Sequence, residues 1–323
     1  MVSGTILIAG SLTLGLLLEW CVLKFVTAQR LLAEVNARSS HETPTPTVGG
    51  IVIWVLVTAY LVHLSPTMPR LALGFAGACS LVALAGLWDD LHPLSTRLRF
   101  SIQLVAAAGL VVVVWPEPDV VFGVVLVIAV VWFTNLFNFM DGIDGIAGAQ
   151  CLVFCLATLL LTGGAPGWLG EVLWVVVGTT LAFLTFNWPP AKIFMGDVGS
   201  GFLGMLIAGL ILHLWVTDTL PLTASMILLA GFWFDATYTL CVRIATRQSF
   251  TQAHRSHLYQ RLAERKGHAW TTAAFIAFAL IWTLPLAWLS MRYPSWQLEI
   301  LGLTLVPYLM LCRTFKAGEL VEK

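Results

Sequence analysis

The stretch VVFGVVLVIAVVWFTNLFNFMDGIDGIAG, Val120 to Gly148, decides the fold. It carries no charge from Val120 to Met140, which is long enough for one helix to cross a bilayer. Two aspartates, Asp141 and Asp144, then appear among glycines, and a second apolar run, CLVFCLATLLL, follows at once. Carboxylates at membrane depth are expensive and mark function more often than packing. The same pattern recurs along the chain. Asp89 and Asp90 end an apolar run, Asp197 follows another, and His254 and His257 follow a fourth.

The bulk composition agrees with a membrane solvent. The 323 residues are 59% hydrophobic and only 11% charged, with a mean hydropathy of +0.88, whereas soluble domains carry about 25% charged residues. The formal net charge is zero, which excludes a nucleic-acid partner because no basic footprint exists. All six cysteines lie in or at the ends of apolar runs and read as small hydrophobes in helix packing. The apolar N-terminus lacks a basic leader and a small-residue cleavage site, so it reads as a first span.

The apolar runs predict an all-α polytopic membrane bundle of ten or eleven transmembrane helices, over about 4–26, 48–64, 71–88, 99–115, 120–137, 146–162, 170–187, 200–216, 222–242, 269–290 and 298–313. One integral-membrane domain, 1–323, is expected. The connectors alternate between short ones and long polar ones. With the long set placed in the cytoplasm, 15 of the 17 Lys and Arg fall on that side, Arg70 and Arg292 excepted. That bias predicts an external N-terminus and a cytoplasmic C-terminus. Loops 27–47, 89–98, 138–145, 188–199 and 243–268 then meet at the cytoplasmic surface as the active site.

Each motif suggests chemistry. In LWDDLHP the adjacent charges of Asp89 and Asp90 disfavour joint ionisation, so one is a candidate proton acceptor unless a cation is near. Arg97 and Arg99 are available as that cation or as a phosphate contact. In MGDVGSG, glycines flank Asp197 before a helix, a setting for close phosphate approach and a hard cation. Asn135, Asn138, Asp141 and Asp144 step by threes and place oxygens in a row suited to Mg²⁺, a sugar or a base. No GxxxxGK[ST] loop is present.

Five motifs in order, SSHETPTPTVGG, GLWDDLHPLSTRLRFSIQ, NLFNFMDGIDGIAG, FNWPPAKIFMGDVGSGFLG and HRSHLYQRL, resemble the polyprenyl-phosphate N-acetylhexosamine-1-phosphate transferases over nearly the whole chain. The RSSH…PTP opening and the AHRSHLYQ loop look most like the O-antigen-initiating branch. The resemblance implies transfer of a sugar-1-phosphate from a UDP-N-acetylhexosamine to undecaprenyl phosphate, with Mg²⁺ or Mn²⁺ and release of UMP. It further implies a bacterial inner-membrane enzyme with its site facing the cytoplasm, and a homodimer. By motif position, Asp89 is the base with Asp90 beside it, and Asp197 holds the metal with Asn138. Asp141 and Asp144 line the nucleotide-sugar site, where Asn135 also falls, and Asn187 and Phe194 hold the uridine. Arg97 stands where relatives often carry Lys, and Lys192 falls in the family's PAK.

The last loop departs from the pattern. Tyr259 and Gln260 replace histidines of the H-x-H-H cluster, so His254 and His257 are candidates either for catalysis or, with Arg255, for holding diphosphate or sugar. Thr47 replaces an Arg after PTP. Asp235 reads as a polar group within the bundle. Two rival classes are an ion-coupled transporter and a lipid-binding or flipping protein without catalysis. The first predicts acids near span midpoints rather than at one face.

Overall fold

The structure is a computed structural model that describes residues 3–29, 45–115, 117, 119–249 and 254–320. Most of loop 27–47, including the SSHE segment, lies outside the described residues. The helices are α1 Gly4–Gln29, α2 Gly50–Leu64, α3 Pro69–Leu91, α4 Thr96–Val114, α5 Val120–Phe139, α6 Ile146–Leu161, α7 Trp168–Asn187, α8 Gly196–Val216, α9 Leu222–Leu228, α10 Ala230–Ala245, α11 Leu258–Lys266, α12 His268–Phe278, α13 Leu284–Arg292 and α14 Gln297–Thr314. No strand occurs among the described residues, and the chain is an all-α membrane bundle.

Among the described residues, eight helical segments are long and apolar enough to cross a bilayer. A ninth span is α9 with α10, bent by 79°. Two of the expected spans form shorter helices, α2 with 15 residues and α6 with 16. At 1.5 Å per residue they reach about 23 Å, less than the roughly 30 Å hydrocarbon core. Both begin directly at site loops, α2 after Gly49 and α6 after Gly145.

Helix starts follow local chemistry. The Ser95 hydroxyl accepts from the Leu98 N–H and opens α4, and the Asp119 carboxylate accepts from the Phe122 N–H and opens α5. In the tenth expected span a π-helical turn, Ala279–Thr283, precedes Pro285 and joins α12 to α13. The wider turn accommodates a residue that lacks the N–H of a regular ladder.

Nearly every residue of α8 is buried, and α2, α3 and α5 pack around it. Lipid offers no hydrophobic drive between helices, so close approach through small residues sets the packing. A Cβ on Gly86 of α3 would lie 2.3 Å from the Asp197 carbonyl oxygen, and one on Gly50 would lie 2.2 Å from the Gly199 Cα. These two glycines let α2 and α3 press against the first turn of α8. That contact brings the carboxylates at the end of α3 to Asp197. The C-terminal ends of α3, α5 and α7 and the N-terminal ends of α6 and α8 thus gather at one end of the bundle.

Candidate active site

The centre is an arginine shared by two aspartates. Arg99 donates through one guanidinium nitrogen to Asp89 at 2.6 Å and to Asp197 at 2.9 Å. The other Asp89 oxygen accepts from the Leu94 N–H at 2.6 Å. Asp90 points the other way. Its two oxygens accept from the N–H groups of Asp197 (2.9 Å) and Val198 (3.0 Å) in the first turn of α8. Asp90 therefore stabilises the start of α8, where unpaired N–H groups attract a negative charge. Asn138, from the end of α5, donates to Asp197 and to the Ser200 hydroxyl, both at 2.8 Å.

A polar cavity of about 260 Å³ opens beside this group. Its lining includes Asp90, Asn138, Asp141, Asp144, Asn187, Phe194, Asp197 and His268. Asp141 has no side-chain bonding partner among the described residues. Burial first, then the charges of Asp197, Asp90 and Asp144, hold its carboxyl well above the usual range. Asp144 is anchored instead. It accepts from the Ala191 N–H at 3.0 Å and pairs with the Nδ1 of His268 at 3.1 Å. Burial raises the Asp144 carboxyl, but the bonds from His268 and Ala191 outweigh it and hold it below the usual range. The Asn187 amide ties two loops together, accepting from the Gly145 N–H at 2.9 Å and donating to the Ile193 carbonyl at 2.8 Å.

The other expected residues sit elsewhere. Asn135 donates to Gln103 of α4 at 2.7 Å and does not line the cavity. Arg97 and Lys192 are exposed and outside the lining. His254, Arg255 and His257 are not among the lining residues of the cavity. The His254 and His257 rings stack at 4.9 Å, and the Nδ1 of His257 lies 3.6 Å from the buried Asp235. Burial, then His257 and Arg243, push the His254 imidazole down to about 4. Asp235 accepts from the N–H groups of Leu258 (2.8 Å) and Tyr259 (3.0 Å), and so caps α11. The Tyr259 hydroxyl in turn donates to the Phe139 carbonyl at 2.9 Å, just ahead of Asp141.

Of the two arginines read as candidates, Arg99 rather than Arg97 reaches the carboxylates. Two participants escape the sequence reading: His268 lines the cavity, and Tyr259 fastens the loop. A GH pair at the start of a span was the only available signal for His268.

No three His, Cys, Asp or Glu side chains converge to enclose a metal among the described residues. Mg²⁺ does not need such a cage, because it commonly takes one or two carboxylates with water and substrate phosphates. The donor set fits that mode. Asn138 gives its Nδ2 to Asp197 and Ser200, which leaves its Oδ1 without a partner among the described residues, and the Asp141 carboxylate faces the same cavity.

Known proteins are similar to this chain in sequence. The family model of glycosyl transferase family 4 matches residues 72–215, which spans α3 to α8. A probable undecaprenyl-phosphate N-acetylglucosaminyl 1-phosphate transferase of Bacillus subtilis is 33% identical over 243 residues, covering 70% of this chain and 67% of the relative. A decaprenyl-phosphate N-acetylglucosaminephosphotransferase of Mycobacterium leprae is 29% identical over 287 residues, covering 74% and 72%. A phospho-N-acetylmuramoyl-pentapeptide-transferase of Symbiobacterium thermophilum is 28% identical over 322 residues, covering 89% and 94%. The carboxylate-lined cavity at the end of a membrane bundle, with these relatives, makes the chain a sugar-phosphate transferase that belongs to glycosyl transferase family 4, the polyprenyl-phosphate N-acetylhexosamine-1-phosphate transferase superfamily.

Proposed function

We propose that this enzyme transfers an N-acetylhexosamine-1-phosphate from a UDP-sugar to undecaprenyl phosphate, releasing UMP, at the cytoplasmic face of a bacterial inner membrane. The product is a sugar on a lipid diphosphate, the starting unit of an O-antigen or related surface polysaccharide. The observation that carries this reading is Arg99 shared by Asp89 and Asp197 beside a polar cavity, at the end of an apolar bundle. A lipid phosphate arrives along the bilayer and a nucleotide arrives from water, and this is where both reach one set of charges.

The chemistry joins two polyanions, so positioning and charge compensation dominate. Asp197 and Asn138 are the residues that would hold Mg²⁺, which would supply positive charge to the transferring diphosphate. The chain's own residues do the rest. The acceptor phosphate draws Arg99 away from Asp89 and thereby frees an Asp89 oxygen. Asp89 takes the remaining proton of an acceptor monoanion, and the acceptor oxygen attacks the donor phosphorus that bears the sugar. The bond from that phosphorus to the UMP oxygen breaks, and UMP leaves. Asp90 holds the first turn of α8, and with it Asp197, throughout.

A panel of UDP-sugars incubated with purified protein, undecaprenyl phosphate and Mg²⁺ tests the reading. At least one donor should yield UMP and a lipid diphosphate-sugar in equal amounts. Asp197→Asn should lower turnover by about two orders of magnitude or more while the protein stays folded. A variant with wild-type rate and unchanged Mg²⁺ response removes Asp197 from the site.

A further inference from the structure

We propose that His268 is a phosphate-binding residue of the donor site: its free ring nitrogen donates to an anionic phosphate of the nucleotide, while Asp144 holds the ring in place. This rests on the transferase reading above and assigns a residue to it.

The cavity has a charge problem. Its lining contains four aspartates, Asp90, Asp141, Asp144 and Asp197, and His268 is the one basic side chain among the described lining residues. Arg99 lies beside the cavity and is already held by Asp89 and Asp197. A donor diphosphate entering among carboxylates needs donors directed at it, and hydrogen bonds to an ionised phosphate are stronger than neutral ones.

The geometry of His268 meets that need. Its Nδ1 faces the Asp144 carboxylate at 3.1 Å and lies 3.4 Å from the Asp144 N–H, so the ring's orientation is set; Nε2 has no partner among the described residues, and in the doubly protonated ring, paired with Asp144, it is an N–H donor. The side chain is 22% exposed, and the ring forms part of the cavity wall. One helical turn further along α12, the Thr272 hydroxyl donates to the Asp144 backbone carbonyl at 2.9 Å. Two bonds therefore fasten the first turn of α12 to the DGIDG loop. The Ala191 N–H bonds the second Asp144 oxygen, so the buttress itself cannot turn away. This is the arrangement by which a carboxylate fixes a histidine for work at its other nitrogen.

A purely structural role, pinning α12 to the loop, makes a different prediction, and two isosteres separate the two. His268→Asn places an amide where Nδ1 stands and retains the bond to Asp144, but it loses the reach of Nε2. His268→Gln places its amide nearer the Nε2 position. Equilibrium binding of radiolabelled UDP to the detergent-solubilised protein is the readout, with donor KM and kcat measured alongside. UDP affinity should fall in the order wild type, Gln, Asn, with the Asn variant about tenfold weaker. Donor KM should rise in parallel and kcat should stay within about threefold. If the Asn variant does not fold, the Gln and Ala variants carry the comparison, with Ala the weaker. An Asn variant that binds UDP as the wild type does, or a collapse of kcat at unchanged KM, overturns the assignment of His268 alone. Failure of the wild type to bind UDP overturns it together with the transferase reading.

Discussion

At the residue scale, the site works through which oxygens are taken and which are free. Asp90 has both oxygens on the α8 backbone, Asp89 has one on Leu94 and one on Arg99, and Asp141 has none committed among the described residues. An acceptor phosphate monoester has its second pKa near 6, so it carries a proton below that pH and mostly lacks one above it. If Asp89 removes that proton, Asp89→Asn should be crippled, by about tenfold or more, at pH 5.5 and should approach the wild type toward pH 8.5. A ratio of wild type to variant that stays flat across this range would take proton transfer away from Asp89. The acids were readable from the sequence because each breaks an apolar run. The choice between Arg97 and Arg99 was not, since residues two apart in a helix point about 200° apart and only packing shows which side faces Asp197. Asn135 shows the converse. Its spacing from Asn138 puts both on one side of α5, but one turn deeper the neighbour is Gln103 rather than the cavity.

At the element scale, α11 acts as a fastener. Asp235 caps it, and Tyr259 ties it to the carbonyl of Phe139 at the end of α5, so the loop carrying Asp141 and Asp144 rests on a helix from the far end of the chain. The residue beside that bond must be small: a Cβ on Gly142 would stand 2.1 Å from the Tyr259 hydroxyl oxygen and 3.1 Å from its ring. Gly142→Ala should therefore cut kcat/KM by about tenfold or more, and Tyr259→Phe alone by a few-fold. Adding Tyr259→Phe to Gly142→Ala should restore part of the loss, because the closest collision goes with the hydroxyl. Losses that simply multiply would show that the two residues are not coupled. The all-α class and the approximate placement of the helices were readable from apolar runs, but ten or eleven spans were expected, and α2 and α6 are shorter than the spans expected of them. The 79° bend between α9 and α10 was not readable, for the run from Leu222 is apolar on both sides of it. His254 and His257, candidates for catalysis or for holding diphosphate or sugar, do not line the cavity, and His257 lies against the buried Asp235. Sequence spacing gives the loop's side of the membrane but not its depth.

At the scale of the whole molecule, a bundle that buries α8 at its axis and gathers Asp89, Asp90, Asp141, Asp144 and Asp197 at one end suits a reaction at a membrane surface. It does not suit a pathway through the membrane, which would place acids along the spans. The charge bias predicts that this end faces the cytoplasm. Cysteines introduced at the exposed Arg247 and Ser295, in a background without the exposed Cys21 and Cys241, test the orientation. An impermeant maleimide added outside intact cells should label position 295 and spare 247, and the reverse pattern would invert the topology. The most direct test of the central claim follows one phosphorus atom. With a donor UDP-sugar labelled with ³²P at the sugar-bearing phosphate, the account predicts that the label moves to the lipid as undecaprenyl diphosphate-sugar while unlabelled UMP is released. Label that stays in released UDP, with the sugar alone on the lipid or no lipid product from any donor, would contradict it.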